Sequence, residues 1–447
     1  MQSGAAHGQE AERRATYRQV GWRILPILFA AYIMANLDRN NFAFAKLQFA
    51  TEFGFSEAVY GFGAGLFYLG YSLFEVPSNL MLAKVGARLT LLRIMLFWSL
   101  CSGALAFMSS ATHFYALRFL LGVAEAGFFP GVLLYLTYWA PTARRAGFTA
   151  LFMSALTMAG VIGGPIAGVI LQSFDGALGL RGWQWLFLVE AVPAALLGIA
   201  VYLHLDDRPE QAAWLSPSRK ALLMQDLAAE AKAKRAHGHS SFLLNLRDRR
   251  FYMLAGMAVA LISGLAGLNI WLPTIIRNGG TANLLDIGLL SSLPYAVGVL
   301  AQLANGWHSD RTQERRWHAA LPALAAGLGW CALPLATGHA GLSLALTILI
   351  SAGSFAATAP FWTLPSLYLS GTAAAGGIAT ITTLGGLGAF VSPAVVGFLT
   401  SKTGSLALGQ CYYGLLLCLG AGMLVLGTRV PSPAAVRPSP AETVATS

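Results

Sequence analysis

Charge is scarce in this sequence. Asp, Glu, Lys and Arg make up 11% of its 447 residues, while 56% are hydrophobic; a soluble domain carries about 25% charge. The shortage is concentrated. No Asp, Glu, Lys or Arg stands between Arg93 and Arg118, from Ala146 to Phe174, from Phe251 to Ile276, or from Trp317 to Ser401. Each run exceeds the ~20 residues that cross a bilayer as a helix. A soluble core stops growing near ~250–300 residues, so this length and apolarity exclude a soluble domain. Cysteine is rare too. Cys101, Cys331, Cys411 and Cys418 show neither metal-ligand spacing nor a disulfide framework. A Gly-rich phosphate loop, a zinc triad and a nucleophile elbow are all missing. Their absence argues against an enzyme, and no metal or organic cofactor is expected. No small-residue cleavage site is evident near the N-terminus, so no removable signal peptide is expected.

What is present is a series of long apolar segments. The pattern predicts twelve spans, at 22–45, 57–82, 90–109, 112–138, 146–173, 184–204, 250–276, 287–308, 317–337, 341–369, 375–400 and 405–428. The longest uncharged run is divided at Gly338-His339 and around Gly371 to Gly377. All must be helices, because lipid offers no partner for a free backbone group. A β-barrel would show short alternating segments instead. The longest polar stretch, 205–249, separates the spans into an N-terminal bundle (22–204) and a C-terminal bundle (250–428). A tail at 1–21 and a Pro/Ala/Ser/Thr-rich, disordered tail at 429–447 flank them. Within the linker, Ser216-Pro217 predicts the start of an amphipathic helix, with Ser as N-cap and Pro at the first helical position.

Lys and Arg gather on one side of this arrangement. Arg13, Arg14, Arg18 and Arg23, then Lys84, Arg88 and Arg93, then Arg144 and Arg145, the linker cations, and Arg311, Arg315 and Arg316 all fall with the tails. Lys46, Arg181, Arg277 and Lys402 fall opposite. The positive-inside rule then predicts cytoplasmic tails in a multi-pass membrane protein. The formal charge of +10 therefore needs no nucleic-acid partner; lipid is the expected surroundings. The halves also echo each other. "FFPGVLLYL" (128–136) is similar to "TLPSLYL" (363–369), and "GGPIAGVILQS" (163–173) to "VSPAVVGFLTS" (391–401). Repeated halves mark secondary transporters with a site between them near mid-membrane. For Gly160, Gly163, Gly164, Pro165 and Gly168, close helix packing is preferred to a kink.

Few ionisable residues fall within spans: Asp38, Arg39, Glu75, Arg118, Glu125 and Glu190. Each costs ~2.5–3.5 kcal/mol or more at mid-membrane, so each is expected to face the bundle interior. At ~1.5 Å per residue, Asp38 lies about 12 Å inward from Lys46 and Arg118 about 8 Å inward from His113, which brings them to similar depth. Arg118 and Glu125 are two turns apart on nearly one face. Asp38, Arg118 and Glu125 are therefore expected in one cavity. A desolvated carboxylate can bind and release a proton near neutral pH, while Arg stays charged and can grip a carboxylate with two parallel hydrogen bonds. An anion that draws Arg118 from a carboxylate would raise that carboxylate's affinity for a proton, which is symport. A structural ion-pair network is the plainer alternative, and it is preferred for Glu75 and Glu190, the latter pairing across an interface. The C-terminal half offers Asn269, Trp271, Tyr295, Thr358, Trp362, Thr382 and Thr383. Trp362, able to wall a cavity and donate one hydrogen bond, is the candidate preferred.

The chain resembles the major facilitator superfamily, and within it the anion:cation symporter family, notably its bacterial tartrate, phthalate and sugar-acid permease branch. The residues are "NLDRNNFAFAKL" (36–47), "GFGAGLFYLGYSLFEVPSNL" (61–80), "LRFLLGVAEAGFFPGVLLYLTYW" (117–139), "GWQWLFLVE" (182–190), "DDRPEQAAWLSP" (206–217) and "WLPTIIR" (271–277). The resemblance implies two pseudo-symmetric six-helix bundles and a monomeric importer of a small organic anion driven by protons. It implies proton coupling at Asp38 and Glu125, and anion contact by Arg39 or Arg118 and by Tyr71. It makes Asp310 and Arg311, beside Arg315 and Arg316, a gating turn. The matching first-half turn departs from the pattern, with Lys84 where an acidic residue is usual. Thr382 and Gly386 replace asparagines, and Ala266 a tyrosine, which favours a substrate less hydroxylated than a sugar acid. A drug/proton antiporter of the same fold is the second expectation, prompted by "GVIGGPIAG"; a non-transporting membrane sensor is the third.

Overall fold

The structure, a computed structural model, describes residues 2–235, 248–368 and 371–427. The order is α1 (Gln2–Glu52), α2 (Glu57–Val85), α3 (Ala87–Leu105), α4 (Ala111–Glu125), α5 (Phe128–Trp139), α6 (Thr142–Ser173), α7 (Gly182–His204), α8 (Pro217–Arg235), α9 (Arg249–Asn278), α10 (Leu284–Thr312), α11 (Arg316–Ala332), α12 (Ala340–Tyr368), α13 (Gly371–Thr403) and α14 (Ala407–Gly427). Among the described residues there is no strand. Eleven helical stretches there are long and apolar enough to cross a membrane. With α2 they make the two six-helix bundles. α2 has the length, 29 residues, but Glu57, Glu75 and Lys84 dilute its apolar character. The tail at 429–447 lies outside the described residues.

Local signals set many of the ends. Ser56 and Ser110 each accept a backbone N–H three residues on, from Val59 and His113. Asn283 accepts from both Leu285 and Asp286. Such caps satisfy donors that a helix start leaves free. α8 begins at Pro217, with Ser216 accepting from Arg219.

Two elements differ from the expected spans. α1 extends well beyond 22–45, because its early turns rest on α8 through Arg13 and Tyr17, which both bond Asp226 (3.2 and 3.0 Å). The fourth span is two helices, α4 and α5, broken immediately after Glu125. Pro130 has no N–H to give, and its ring crowds the carbonyl of Ala126. Gly127 takes φ +85°, and a Cβ there would fall 2.5 Å from the Ser78 hydroxyl on α2, so the break needs glycine twice over.

The halves lock together at the end away from the tails. Lys46 bonds Glu57 (2.6 Å) and reaches Thr274 (3.2 Å) on α9. The Tyr60 hydroxyl donates to the Ile270 carbonyl (2.9 Å), Arg277 to that of Leu47 (3.0 Å), and the Ala58 N–H to Ser401 (2.7 Å). The glycines of α6 have the packing role expected of them. Gly160 lies against Tyr295 and Gly168 against Leu284 and Leu285, while Gly164 and Gly288 meet backbone to backbone where α6 crosses α10. A Cβ on Gly288 would sit 2.3 Å from the Gly164 carbonyl oxygen. Gly288→Leu is therefore expected to hold this end apart. A cysteine placed at Thr274 should then react several-fold faster with a membrane-impermeant maleimide than it does beside Gly288. An unchanged rate would mean the crossing does not control closure.

Candidate functional site

The buried charges converge on one region of the N-terminal half. α1 supplies Asp38 and Arg39, α4 supplies Arg118 and, from its last residue, Glu125. Asp38, Arg118 and Glu125 are almost wholly buried, at 2%, 3% and 0% exposure. Their pairing is not the one the α4 spacing implied. Glu125 is held by Arg39, whose Nε and Nη2 both reach Glu125 Oε2 at 2.6 Å. Arg118 and Glu125 stand two turns apart on α4, too far along the axis to pair, and α1 brings Arg39 to Glu125 instead. Its other oxygen has no hydrogen-bond partner. Asp38 accepts the Ser102 hydroxyl of α3 on Oδ1 and leaves Oδ2 without a partner.

Arg118 makes no ion pair among the described residues. Its guanidinium stacks 4.0 Å above the Phe42 ring and 5.0 Å from that of Phe67. Its one hydrogen bond is a long contact, 3.5 Å, to the Gly63 carbonyl. Arg39 lies 5.0 Å from the Tyr71 ring and 5.2 Å from Phe67. Both arginines line an enclosed cavity of about 90 Å³ with Asn36, Asn40 and Tyr68 from the first half and Asn269 from α9. It thus sits between the halves. A larger hollow of about 500 Å³ lies at the far end, but Glu57 is its one charged lining residue, so it lacks the chemistry to hold an anion.

Not every candidate reaches this cavity. Tyr71 touches it through Arg39. Asp38 and Glu125 stand behind it. Trp362 packs on Phe361, with ring centroids 5.0 Å apart, and is not part of the cavity wall. Asp310 and Arg311 lie at the tail end of α10. There Asp310 pairs with Arg315 (2.6 Å) and Arg311 stacks on Trp307 (4.2 Å). Burial opposes the charge of nearby Glu314, but N–H groups of Trp317 and His318 and the His318 ring hold its carboxyl below the ordinary range. In the first-half turn, the acidic residue missing at Lys84 is supplied from elsewhere: Asp207 accepts the Arg88 N–H (2.8 Å) at the start of α3. Among the described residues Glu190 has no partner, contrary to the ion pair expected of it.

Sequence reasoning missed Asn36, Asn40, Tyr68 and Ser102. The cue was available for the first three, because Asn36 and Asn40 are one turn apart beside Arg39, and Tyr68 is three residues from Tyr71. Asn36, Asn40 and Asn269, the last named from sequence, all line the cavity.

Residues 28–393 match the family model described as Major Facilitator Superfamily. A protein of Agrobacterium vitis, provisionally named a tartrate transporter, is 45% identical over 416 residues, 93% of this chain and 95% of its own length. A protein of Acinetobacter baumannii named a quinolone resistance transporter is 40% identical over 408 residues, 90% of this chain and 92% of its own. Among solved structures, a bacterial homolog of the human lysosomal transporter Spinster, in an inward-facing and occupied conformation, superposes with a TM-score of 0.74. It is 16% identical, with 93% of this chain and 98% of that one covered.

Proposed function

The chain belongs to the Major Facilitator Superfamily, a multi-pass membrane transporter and not an enzyme, and we propose that it imports a small organic anion, a carboxylate, by proton symport across a bacterial inner membrane. The observation that carries this is Arg118, a buried guanidinium with no carboxylate partner among the described residues, on the wall of a cavity between the halves. Leaving such a charge uncompensated costs several kcal/mol, and a substrate carboxylate would relieve it. Asn36, Asn40, Asn269 and Tyr68 then offer hydrogen bonds to the rest of the substrate.

Arg39 and Glu125 supply the coupling. While Glu125 is charged it neutralises Arg39. An anion that draws Arg39 toward the cavity frees Glu125 to take a proton, so anion and proton bind together. Asp38 takes the second coupling position, and the Asp310–Arg311 turn acts in gating. With the tails in the cytoplasm, the locked end is the outer one. The relative named for tartrate supports a carboxylate.

The relative named for quinolone resistance supports a second reading, drug/proton antiport. Uptake by purified protein in proteoliposomes separates them, with an inward proton gradient and labelled carboxylates spanning tartrate, sugar acids and aromatic acids. Gradient-driven accumulation of one anion is the expected result. Accumulation of none, with expulsion of a drug under the reversed gradient, would replace symport by antiport.

A further inference from the structure

Glu190 has no part in the scheme above, yet its setting is unlike that of a structural residue. It is 4% exposed, and neither carboxylate oxygen has a hydrogen-bond partner. No cation pairs with it among the described residues. A group held for architecture would be paired, since an unpaired ionised carboxylate inside a membrane bundle is among the costliest groups a fold can hold.

The helix packing shows what it faces. α7 lies along α3 and α1. A Cβ on Gly103 would touch that of Ala191 at 3.5 Å, so Ser102 and Glu190, each one residue away, stand at one level. Ser102 donates to Asp38. The Trp183 N–H bonds Gln48 (2.8 Å) and ties the far ends of α7 and α1. From that tie Glu190 is about 10 Å inward and Asp38 about 15 Å, at ~1.5 Å per residue. Asp38 is also the charged neighbour whose field acts on Glu190. Asp38 keeps one oxygen without a partner, and so does the Ser99 hydroxyl, one turn from Ser102 on α3. α3 brings no other titratable side chain to this level than Cys101. α6, the third helix against α7, has no charged or histidine residue after Arg145. Arg39 and Arg118 are the cations that act on Asp38.

We propose that Asp38 and Glu190 form one proton-sharing site inside the N-terminal half, two buried carboxylates between which a single proton is held where α1, α3 and α7 meet. Two carboxylates whose charges act on each other in a dry site resist ionising together, and the protons then belong to the pair, not to either residue. The ligand is the proton itself. Either carboxyl can serve in the other's absence, so the pair protects coupling against loss of one member. The assignment rests on the proton symport proposed above, and one of its tests does not.

The transport test is a double-mutant cycle on the full chain in proteoliposomes. Glu190→Gln alone should reduce proton-driven accumulation by no more than about threefold, because Asp38 remains; Asp38→Asn alone should leave measurable accumulation, because Glu190 remains. The double variant should fall at least tenfold below the product of the two single effects. Effects that simply multiply would make Glu190 a packing residue and overturn the pair. Accumulation driven by a sodium gradient without a pH gradient, and lost in Glu190→Gln, would overturn it in favour of a metal cation. The second test needs no substrate. In the infrared spectrum of the purified protein, a protonated-carboxyl band that shifts in heavy water should change in each single variant and lose that component in the double. A band that Glu190→Gln leaves unaltered sinks the pair whatever the transported solute. An altered band with no proton-driven uptake would keep the pair and remove symport instead.

Discussion

Arg118→Ala is expected to lower anion uptake at substrate concentrations below KM by at least about a hundredfold. Two parallel charge-assisted hydrogen bonds to a carboxylate are worth ~1.5–3 kcal/mol each, and 1.4 kcal/mol is tenfold. The loss should fall mainly on KM, because the guanidinium binds the anion before and after the halves rock. Arg118→Lys retains the charge but not the fork, so an intermediate loss of about tenfold is expected. Stability separates this role from a structural one. Removing an arginine that has no carboxylate partner and a single 3.5 Å hydrogen bond should leave the melting temperature of the purified protein unchanged or raise it, since a desolvated charge is deleted. A fall of several degrees together with lost uptake would mean that its stacking on Phe42 and Phe67 is what the fold requires of it.

The spans were legible because charge is expensive in lipid. The uncharged runs at 146–174 and 251–276 became α6 and α9 with little ambiguity, and Ser216-Pro217 marked α8 by capping chemistry alone. The break after Glu125 was written in Gly127 and Pro130, but the apolar run continues through it, and hydropathy does not register a change of axis. The break did not set the pairing. Arg118 and Glu125 both lie on α4, about 10 Å apart along its axis at ~1.5 Å per residue, so the spacing put them on one face without making them partners. Spacing within a helix is readable from sequence, whereas the rotation of α1 against α4 depends on tertiary packing. The neutral residues of the cavity were missed for a different reason. Asn36 and Asn40 can be buried at modest cost, so nothing in the composition sets them apart from other polar residues on α1. Trp362 stands outside the cavity wall for the opposite reason. A large aromatic ring fills lipid-facing and core positions as readily as cavity walls, so its identity alone could not place it.

Glu125→Gln tests the coupling where the geometry is most specific. Gln keeps the shape of the side chain and removes its charge, so Arg39 loses the partner at 2.6 Å and becomes a second uncompensated cation beside the cavity. Breaking a buried pair at one end costs ~3–5 kcal/mol, and an anion in the cavity can offset part of that cost. The variant should therefore bind the anion several-fold more tightly than the parent, while a proton gradient no longer drives accumulation. Exchange of internal for external anion should persist within about threefold, because it needs the halves to rock with substrate bound and no change of protonation. Tighter binding with accumulation abolished is a combination that a structural ion pair would not produce. Were Glu125 only a brace for α1, its loss would weaken binding, exchange and accumulation together. Retained accumulation would move the coupling proton to Asp38 and leave the Arg39–Glu125 pair as a fixed element of the cavity wall.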